Sequence, residues 1–314
     1  MSTLREALDN YLTLRRGLGY KLQDAGQVLP TFITFLESRN ASFITQELAL
    51  AWAVDSTTAQ ATRCAMRLSM VRGFARYQYW RDPRTQIPSP GLLPLTRNRA
   101  KPYLYSLDET LQLLDAALRI EPRYKAGALL PWVYHCLFGL LFVTGMRLGE
   151  ACSLKLKDVD LDSAILTVRD AKHGKQRLIP IHDSTCAVLA DYLNRRTHHW
   201  KNRSVSEFLL VSSWGLRLDK AQIHRAFHAL SRQVGLRGES DSHGPRLHDF
   251  RHRFATTTLI NWYRNDLDPE RLLPVLSAYL GHTNIADTQW YLDSAPELMS
   301  QAMSRVERHW EGRT

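Results

Sequence analysis

The sequence predicts a mainly α-helical protein with one small antiparallel sheet, an α+β chain in two domains. Three observations carry this reading. Apolar residues recur at three- and four-residue spacing through most of the 314 residues, as in helices that bury one face. Two short runs, 164–169 and 176–181, flank a turn that contains Gly174 and read as the arms of a hairpin. Between residues 83 and 105, Pro83, Pro88, Pro90, Gly91, Pro94 and Pro102 break any regular element and separate two helical regions.

The elements follow in order. Residues 3–18 form a first helix with Leu4, Leu8, Tyr11 and Leu12 inward, stopped by Gly17 and Gly19. Residues 23–38 form a second through Val28, Leu29, Phe32, Phe35 and Leu36. Thr45 opens a short third helix ending near Val54, and residues 58–80 form a long fourth. Together they read as a small helical bundle over residues 1–82. The fourth helix carries Arg63, Arg67, Arg72 and Arg76. At about 100° per residue the first pair falls nearly opposite the second, so one pair at most faces a partner squarely. The linker, 83–105, adds Arg97, Arg99 and Lys101. It is either a solvated connector or a strap along a phosphate backbone.

Ser106-Leu107-Asp108-Glu109 is a capping box that opens the second domain. Residues 129–143 are almost wholly apolar, too short and interrupted to span a membrane, and read as a buried core helix. Thr144 then caps a new helix with Arg147 in its first turn and Glu150 one turn on. An arginine leaving an apolar core needs an anion. Either Glu150 is that partner, or Arg147 points into a cleft at a phosphate with Glu150 supporting it. The hairpin tip holds Lys172 and Lys175. Residues 185–196 and 219–234 are further helices, the second capped by Asp219 and carrying His224, Arg225 and Arg232. Residues 206–213 read as an extra short strand, and 235–245 as a mobile Gly- and Ser-rich loop.

Chemistry concentrates between Arg246 and Tyr291. If His248 and Arg251 start a helix, their spacing puts both on one face. An imidazole exchanges protons near neutral pH, and a guanidinium matches phosphate oxygens. Tyr291 supplies a phenolic oxygen able to form a covalent phosphoryl intermediate. His248 and His252 have the spacing of two metal ligands, but no third ligand lies at a familiar distance in sequence, so no metal is expected. No Gly-rich phosphate loop is present.

Composition bounds the partners. The net charge of +10 suits a polyanion. Residues 1–105 hold 14 of the 41 Lys and Arg but only 7 of the 31 Asp and Glu, so most of the excess lies in the N-terminal third and points to a DNA-gripping module there. Cys64, Cys136, Cys152 and Cys186 are widely separated and read as reduced thiols. With no signal-peptide pattern and no long apolar run, a cytoplasmic protein without a membrane partner is expected.

Taken together, Thr144-Gly145-Met146-Arg147-Leu148-Gly149-Glu150, Lys172 followed by Arg177-Leu178-Ile179-Pro180, His248-x-x-Arg251, Leu280-Gly281-His282 and Tyr291 resemble the tyrosine recombinase (phage integrase) family. The resemblance covers about residues 103–295, and the N-terminal bundle looks like that family's core-binding, SAM-like domain. It implies a catalytic domain over 106–295 and a site-specific DNA recombinase that cleaves and rejoins strands through a 3′-phosphotyrosyl bond and a Holliday junction. Tyr291 resembles the nucleophile, Arg147 and Arg251 the clamp on the phosphate, and Lys172, with Lys175 as the alternative, the general acid. His248 resembles an acid/base group, His282 a phosphate hydrogen-bond donor and Glu150 a supporting residue. No cofactor is implied, because the phosphotyrosine conserves the bond energy.

The implied partners are double-stranded DNA with inverted half-sites and further copies of the chain, a dimer on one site and a tetramer in synapsis, with accessory recombinase subunits also possible for such a system. Arg63, Arg67, Arg97, Arg99, Lys101, Lys175 and Arg225 are candidate DNA contacts. Two departures stand out. Phe250 replaces the family's usual Leu, expected as harmless packing. The stretch 263–270 reads as an inserted loop and turn, a possible subunit contact, and favours a mobile-element integrase or transposase over a Xer housekeeping role. Residues 296–314 carry Leu298, Met299, Met303, Val306 and Trp310 at helical spacing, a helix that packs on its own domain or docks on a neighbouring subunit. The rival readings are type IB topoisomerase-like relaxation and a catalytically silent DNA-binding accessory protein.

Overall fold

Thr3 starts the first helix by accepting the Glu6 amide while Glu6 reaches back to the Thr3 amide, the reciprocal pairing that satisfies two otherwise orphaned donors. The computed structural model describes residues 3–55, 61–94, 101–122, 124–169, 176–201, 203–241, 243–294 and 303. The chain forms two units, residues 1–100 and 101–314. The predicted mainly helical architecture with one small antiparallel sheet is what it adopts.

In the first unit, α1 (Leu4–Gly17), α2 (Gln23–Ser38), α3 (Gln46–Val54) and α4 (Ala61–Tyr79) close around Leu8, Leu29, Phe32, Ile33, Trp52, Leu68 and Phe74. The four arginines of α4 do not sort into two pairs. Arg67 lies 4.0 Å over the Trp52 ring, and Arg72 donates to the carbonyls of Pro88 and Ser89 at 2.7 and 2.8 Å. Arg63 and Arg76 are exposed. One member of each pair therefore serves the unit's own packing. The proline-rich stretch is partly tied down: the Gln86 amide donates to the Ile44 carbonyl at 2.8 Å, and the Gln86 side chain caps the Gln46 amide.

In the second unit, the Ser106 capping box opens α5 (Leu107–Leu118). The apolar stretch is α6 (Leu130–Thr144), packed against α5 and the later helices α8 (Asp183–His199) and α10 (His248–Arg264). A 3₁₀ turn lengthens it to Lys125–Thr144, 20 residues of mean hydropathy 1.7, so by length and composition it could cross a membrane. That length exceeds what the sequence suggested. Here Val133, Leu137, Phe138 and Leu141 are buried in the core.

Two expectations need correcting. Thr144 ends α6, its hydroxyl donating back to the Leu140 carbonyl, and Arg147 itself precedes α7 (Leu148–Ala151). Residues 206–213 form no strand; only isolated bridges, Lys155 to Phe208 and Val211 to Arg217, occur there. Within the stretch 235–245, Arg237 is buried and donates to the Pro245 carbonyl at 3.0 Å. The stretch 263–270 is the end of α10, a short turn, and the start of α11 (Pro269–Leu280), which Asp268 caps.

The sheet is β1 (Val159–Asp160), β2 (Ile165–Arg169) and β3 (Gln176–Pro180), antiparallel in that order, with Val168 opposite Arg177 and Leu166 opposite Ile179. Helix α9 (Lys220–Gln233) is capped by Asp219 as expected. The chain continues from α11 into α12 (Ala286–Ser294). Phe250 is 1% exposed and stacks on Tyr105 with centroids 4.5 Å apart, edge-on to Phe142 and Phe227. It is therefore the centre of an aromatic cluster rather than neutral filling. Phe250→Leu should lower stability by about 1–2 kcal/mol, read as a drop of a few degrees in the thermal midpoint.

Candidate active site

Three guanidiniums meet at the carboxyl end of α11. The last carbonyls of a helix have no partner within it and carry its negative dipole end. Arg177 Nε donates to the Tyr279 carbonyl at 2.8 Å, Arg251 Nη2 to the Leu280 carbonyl at 2.8 Å, and Arg147 Nη2 to the Gly281 carbonyl at 2.8 Å. Three successive carbonyls thus hold three arginines drawn from β3, α10 and the residue before α7. Gly281 makes room for this. Its φ is +70°, and a Cβ there would stand 2.8 Å from Arg177 Nη1 and 3.5 Å from Arg147 Nη1.

Each arginine has a second anchor. Arg251, 2% exposed, donates through Nη1 to the Gly145 carbonyl at 2.9 Å. Gly145 ends α6 with φ +60°, and a Cβ at this position would press within 2.7 Å of the Phe254 ring. Glu150 serves the other two arginines. Its Oε1 accepts from Arg147 Nη1 at 2.9 Å and Arg177 Nη1 at 3.1 Å, and its Oε2 from Arg177 Nη2 at 2.6 Å and the Arg147 amide at 2.8 Å. Burial pushes the Glu150 carboxyl upward, but these donors, Arg177 foremost, hold it below its ordinary value. Arg147 keeps 42% of its side chain exposed and is the open member of the set.

Around this cluster stand the aromatic and imidazole groups. His248 begins α10 and Arg251 follows one turn later on the same face. Tyr291 is 2% exposed, within an apolar cluster of Ala255, Leu259, Leu276 and Leu280. Its phenol is raised by burial, while the guanidiniums of Arg251 and Arg147 pull it down. The His282 ring lies nearly parallel to Tyr291, with centroids 6.1 Å apart, and its Nδ1 is 2.6 Å from the hydroxyl of fully buried Thr288. His252 packs edge-on against His248, Trp290 and Tyr291, at centroid distances of 4.8, 5.0 and 5.4 Å.

Burial and neighbouring positive charge keep the imidazoles neutral. His282 is lowered to about 4 by burial, then by Arg251 and Arg147. His252 is lowered to about 4 by burial and then by His248. His248 is lowered by desolvation and then by Arg251. Burial likewise brings Arg251 down to about 10, still charged at neutral pH. The arrangement presents fixed positive donors, neutral imidazoles and a phenol within one small volume, which suits a tetrahedral anion.

The structure thus brings Arg147, Glu150, His248, Arg251, His282 and Tyr291 together. Lys172, Lys175, Arg97 and Arg99 lie outside the described residues, as does the tail 296–314 apart from Met303. Arg63 and Arg67 belong to the first unit, Lys101 is exposed, and Arg225 is exposed on α9. His248 and His252 touch, but among the described residues no group of three His, Cys, Asp or Glu is disposed to hold a metal ion.

The sequence profile of the phage integrase family matches residues 106–297. The chain belongs to that family. It is a tyrosine recombinase, 58% identical over its full length to the provisionally named integrase/recombinase y4rB of Sinorhizobium fredii, which it also covers in full. Two solved structures share the recombinase's fold. The Tn1549 transposon integrase in complex with transposon right end DNA is 16% identical, with a TM-score of 0.62 over 98% of this chain and 99% of that one. A lambda integrase tetramer bound to a Holliday junction is 19% identical, with a TM-score of 0.56 over 90% and 78%.

Sequence reasoning missed Arg177, Thr288 and the environment of His252. Arg177 had a readable signal. It shares the inward face of β3 with buried Ile179, a position where a guanidinium must be paired. Thr288 is one helical turn before Tyr291, but nothing in the sequence marks its hydroxyl as a partner of His282. A pH dependence of stability follows. The unfolded His252 imidazole takes up a proton near about 6.5, whereas the folded one does so only near about 4. Stability should therefore fall as pH falls through that window. In urea titrations from pH 7 to 4.5, His252→Gln should flatten the slope of midpoint against pH; an unchanged slope would count against the buried, neutral imidazole.

Proposed function

We propose that the Tyr291 phenol attacks a phosphodiester of double-stranded DNA. A tyrosyl O–P bond forms at the 3′ phosphate and the P–O5′ bond breaks. The phenolic proton passes to a base at the site, His248, the exposed imidazole of the cluster. The leaving 5′ oxygen takes a proton from Lys172, or from Lys175 if the hairpin tip presents that residue instead. Arg147 and Arg251 hold the non-bridging oxygens, and His282 donates to one of them once Thr288 has fixed its ring. Attack by a 5′ hydroxyl on the phosphotyrosine reverses every step, so rejoining needs no nucleotide and the chemistry needs no metal.

The single observation that supports this reading most strongly is the convergence of Arg147, Arg251 and Tyr291 at the end of α11. Preorganised positive donors are the main lever in phosphoryl transfer. Tyr291 at 2% exposed is sequestered, so α12 must shift for the phenol to reach DNA. In that movement the phosphate takes the place of the phenol beside Arg251.

Beyond the chemistry, the chain acts on inverted half-sites, as a dimer on each site and a tetramer in synapsis that exchanges strands through a Holliday junction, alone or with accessory recombinase subunits. The lambda integrase tetramer on a Holliday junction supports this stoichiometry. The biological setting is a mobile element, integrated, excised or transposed within the cytoplasm. The y4rB relative and the likeness to the Tn1549 integrase support it.

A covalent trap tests the reaction. Nicked duplexes cut from the DNA flanking the gene lose a short 3′ product and strand the enzyme on the cleaved end. An SDS-resistant adduct is expected with the native chain and none with Tyr291→Phe. An adduct that survives Tyr291→Phe, or no adduct on DNA the protein binds, contradicts the assignment.

A further inference from the structure

We infer that Arg177 is a positioning residue for strand cleavage, holding Arg147 on the scissile phosphate through the carboxylate they share, Glu150. The inference rests on the cleavage reading above and extends it to a residue that touches no reacting atom.

The geometry carries it. Each Glu150 oxygen accepts one bond from Arg177 and one from Arg147, so the carboxylate is clamped rather than merely paired. Arg177 is the closed side of that clamp, with 15% of its side chain exposed against 42% for Arg147. Its Nε is fixed on the Tyr279 carbonyl, two residues before the carbonyl that Arg147 uses. Arg147 is therefore located by two contacts, Glu150 and Gly281, and Arg177 braces both. It orients the carboxylate directly, and it pins the end of α11 at the Tyr279 carbonyl. Without Arg177, Glu150 keeps only Arg147 as a side-chain partner and is free to draw that guanidinium inward, away from solvent and DNA. Arg177 also stands one residue into β3, so the strand that leaves the lysine-bearing hairpin tip is tied to the same carboxylate as the phosphate clamp.

Residues that act through one another are not additive, and small displacements of a catalytic group cost about 100-fold in rate. The test measures two quantities on the nicked flanking duplex: the single-turnover rate of adduct formation and the noncovalent affinity of the Tyr291→Phe background. Arg177→Met should slow cleavage by about 100-fold with affinity unchanged, and Arg177→Lys should recover part of the loss. Adding Arg177→Met to Glu150→Gln should cost little more than Glu150→Gln alone. Native cleavage rates in Arg177→Met, an equal fall in affinity, or losses that multiply in the double variant would overturn the inference. Should Arg177→Met fail to fold by its thermal melt, Arg177→Lys, alone and with Glu150→Gln, is read against the same criteria. Absence of an adduct with the native chain would instead count against the cleavage reading itself.

Discussion

The site depends on the unpaired carbonyls at the end of one helix. A helix that ends in the protein interior must find donors for its last carbonyls, and α11 finds three arginines for Tyr279, Leu280 and Gly281. Those bonds do two things at once. They satisfy the helix, and they fix guanidiniums from three separate parts of the chain in register with one another. Positive charge brought this close repels itself. The carbonyl dipoles and the single Glu150 carboxylate offset that repulsion without cancelling the field at the open side, where Arg147 faces solvent. A phosphate entering there meets donors whose orientation has already been fixed, which is why such a site stabilises a developing charge better than water does.

The same arrangement explains the imidazoles and the phenol. Positive charge and burial together keep His282 and His252 neutral, so neither adds to the repulsion and each keeps an unprotonated ring nitrogen. Tyr291 answers to opposing forces. Its apolar surroundings disfavour the phenolate, and Arg251 beside its hydroxyl favours it. Burial of the ring in the cluster of Ala255, Leu259 and Leu280 keeps the phenol protonated and sheltered from solvent. On the proposed chemistry, the guanidinium that meets the phenol here is also the one that serves the phosphate.

Much of this was legible in the sequence because it is local. The spacing of His248 and Arg251 fixes their common face once a helix forms, and the capping residues Ser106 and Asp219 mark helix starts by chemistry that needs no tertiary contact. What was not legible is non-local. Arg177 and Glu150 are 27 residues apart, and Arg147 and Gly281 are 134 apart; no periodicity connects them. Thr144 looked like a helix start because threonine favours caps, yet its hydroxyl bonds back into α6 and leaves the role to Arg147. Phe250 reads as harmless packing in the sequence because its ring partners Tyr105, Phe142 and Phe227 come from other parts of the chain.

The central claim is that the end of α11 is a template for the arginines, and Gly281 is where it is most exposed to test. The measurement is the single-turnover cleavage rate of Gly281→Ala on the nicked flanking duplex. A methyl group there meets Arg177 Nη1 at 2.8 Å on a backbone of φ +70°, so the Arg177 guanidinium or the end of α11 must shift. The account predicts a loss of about 100-fold in cleavage with the helical circular dichroism of the native chain retained. Cleavage at the native rate would show that the arginines are held by something other than the carbonyls of α11, and would contradict it.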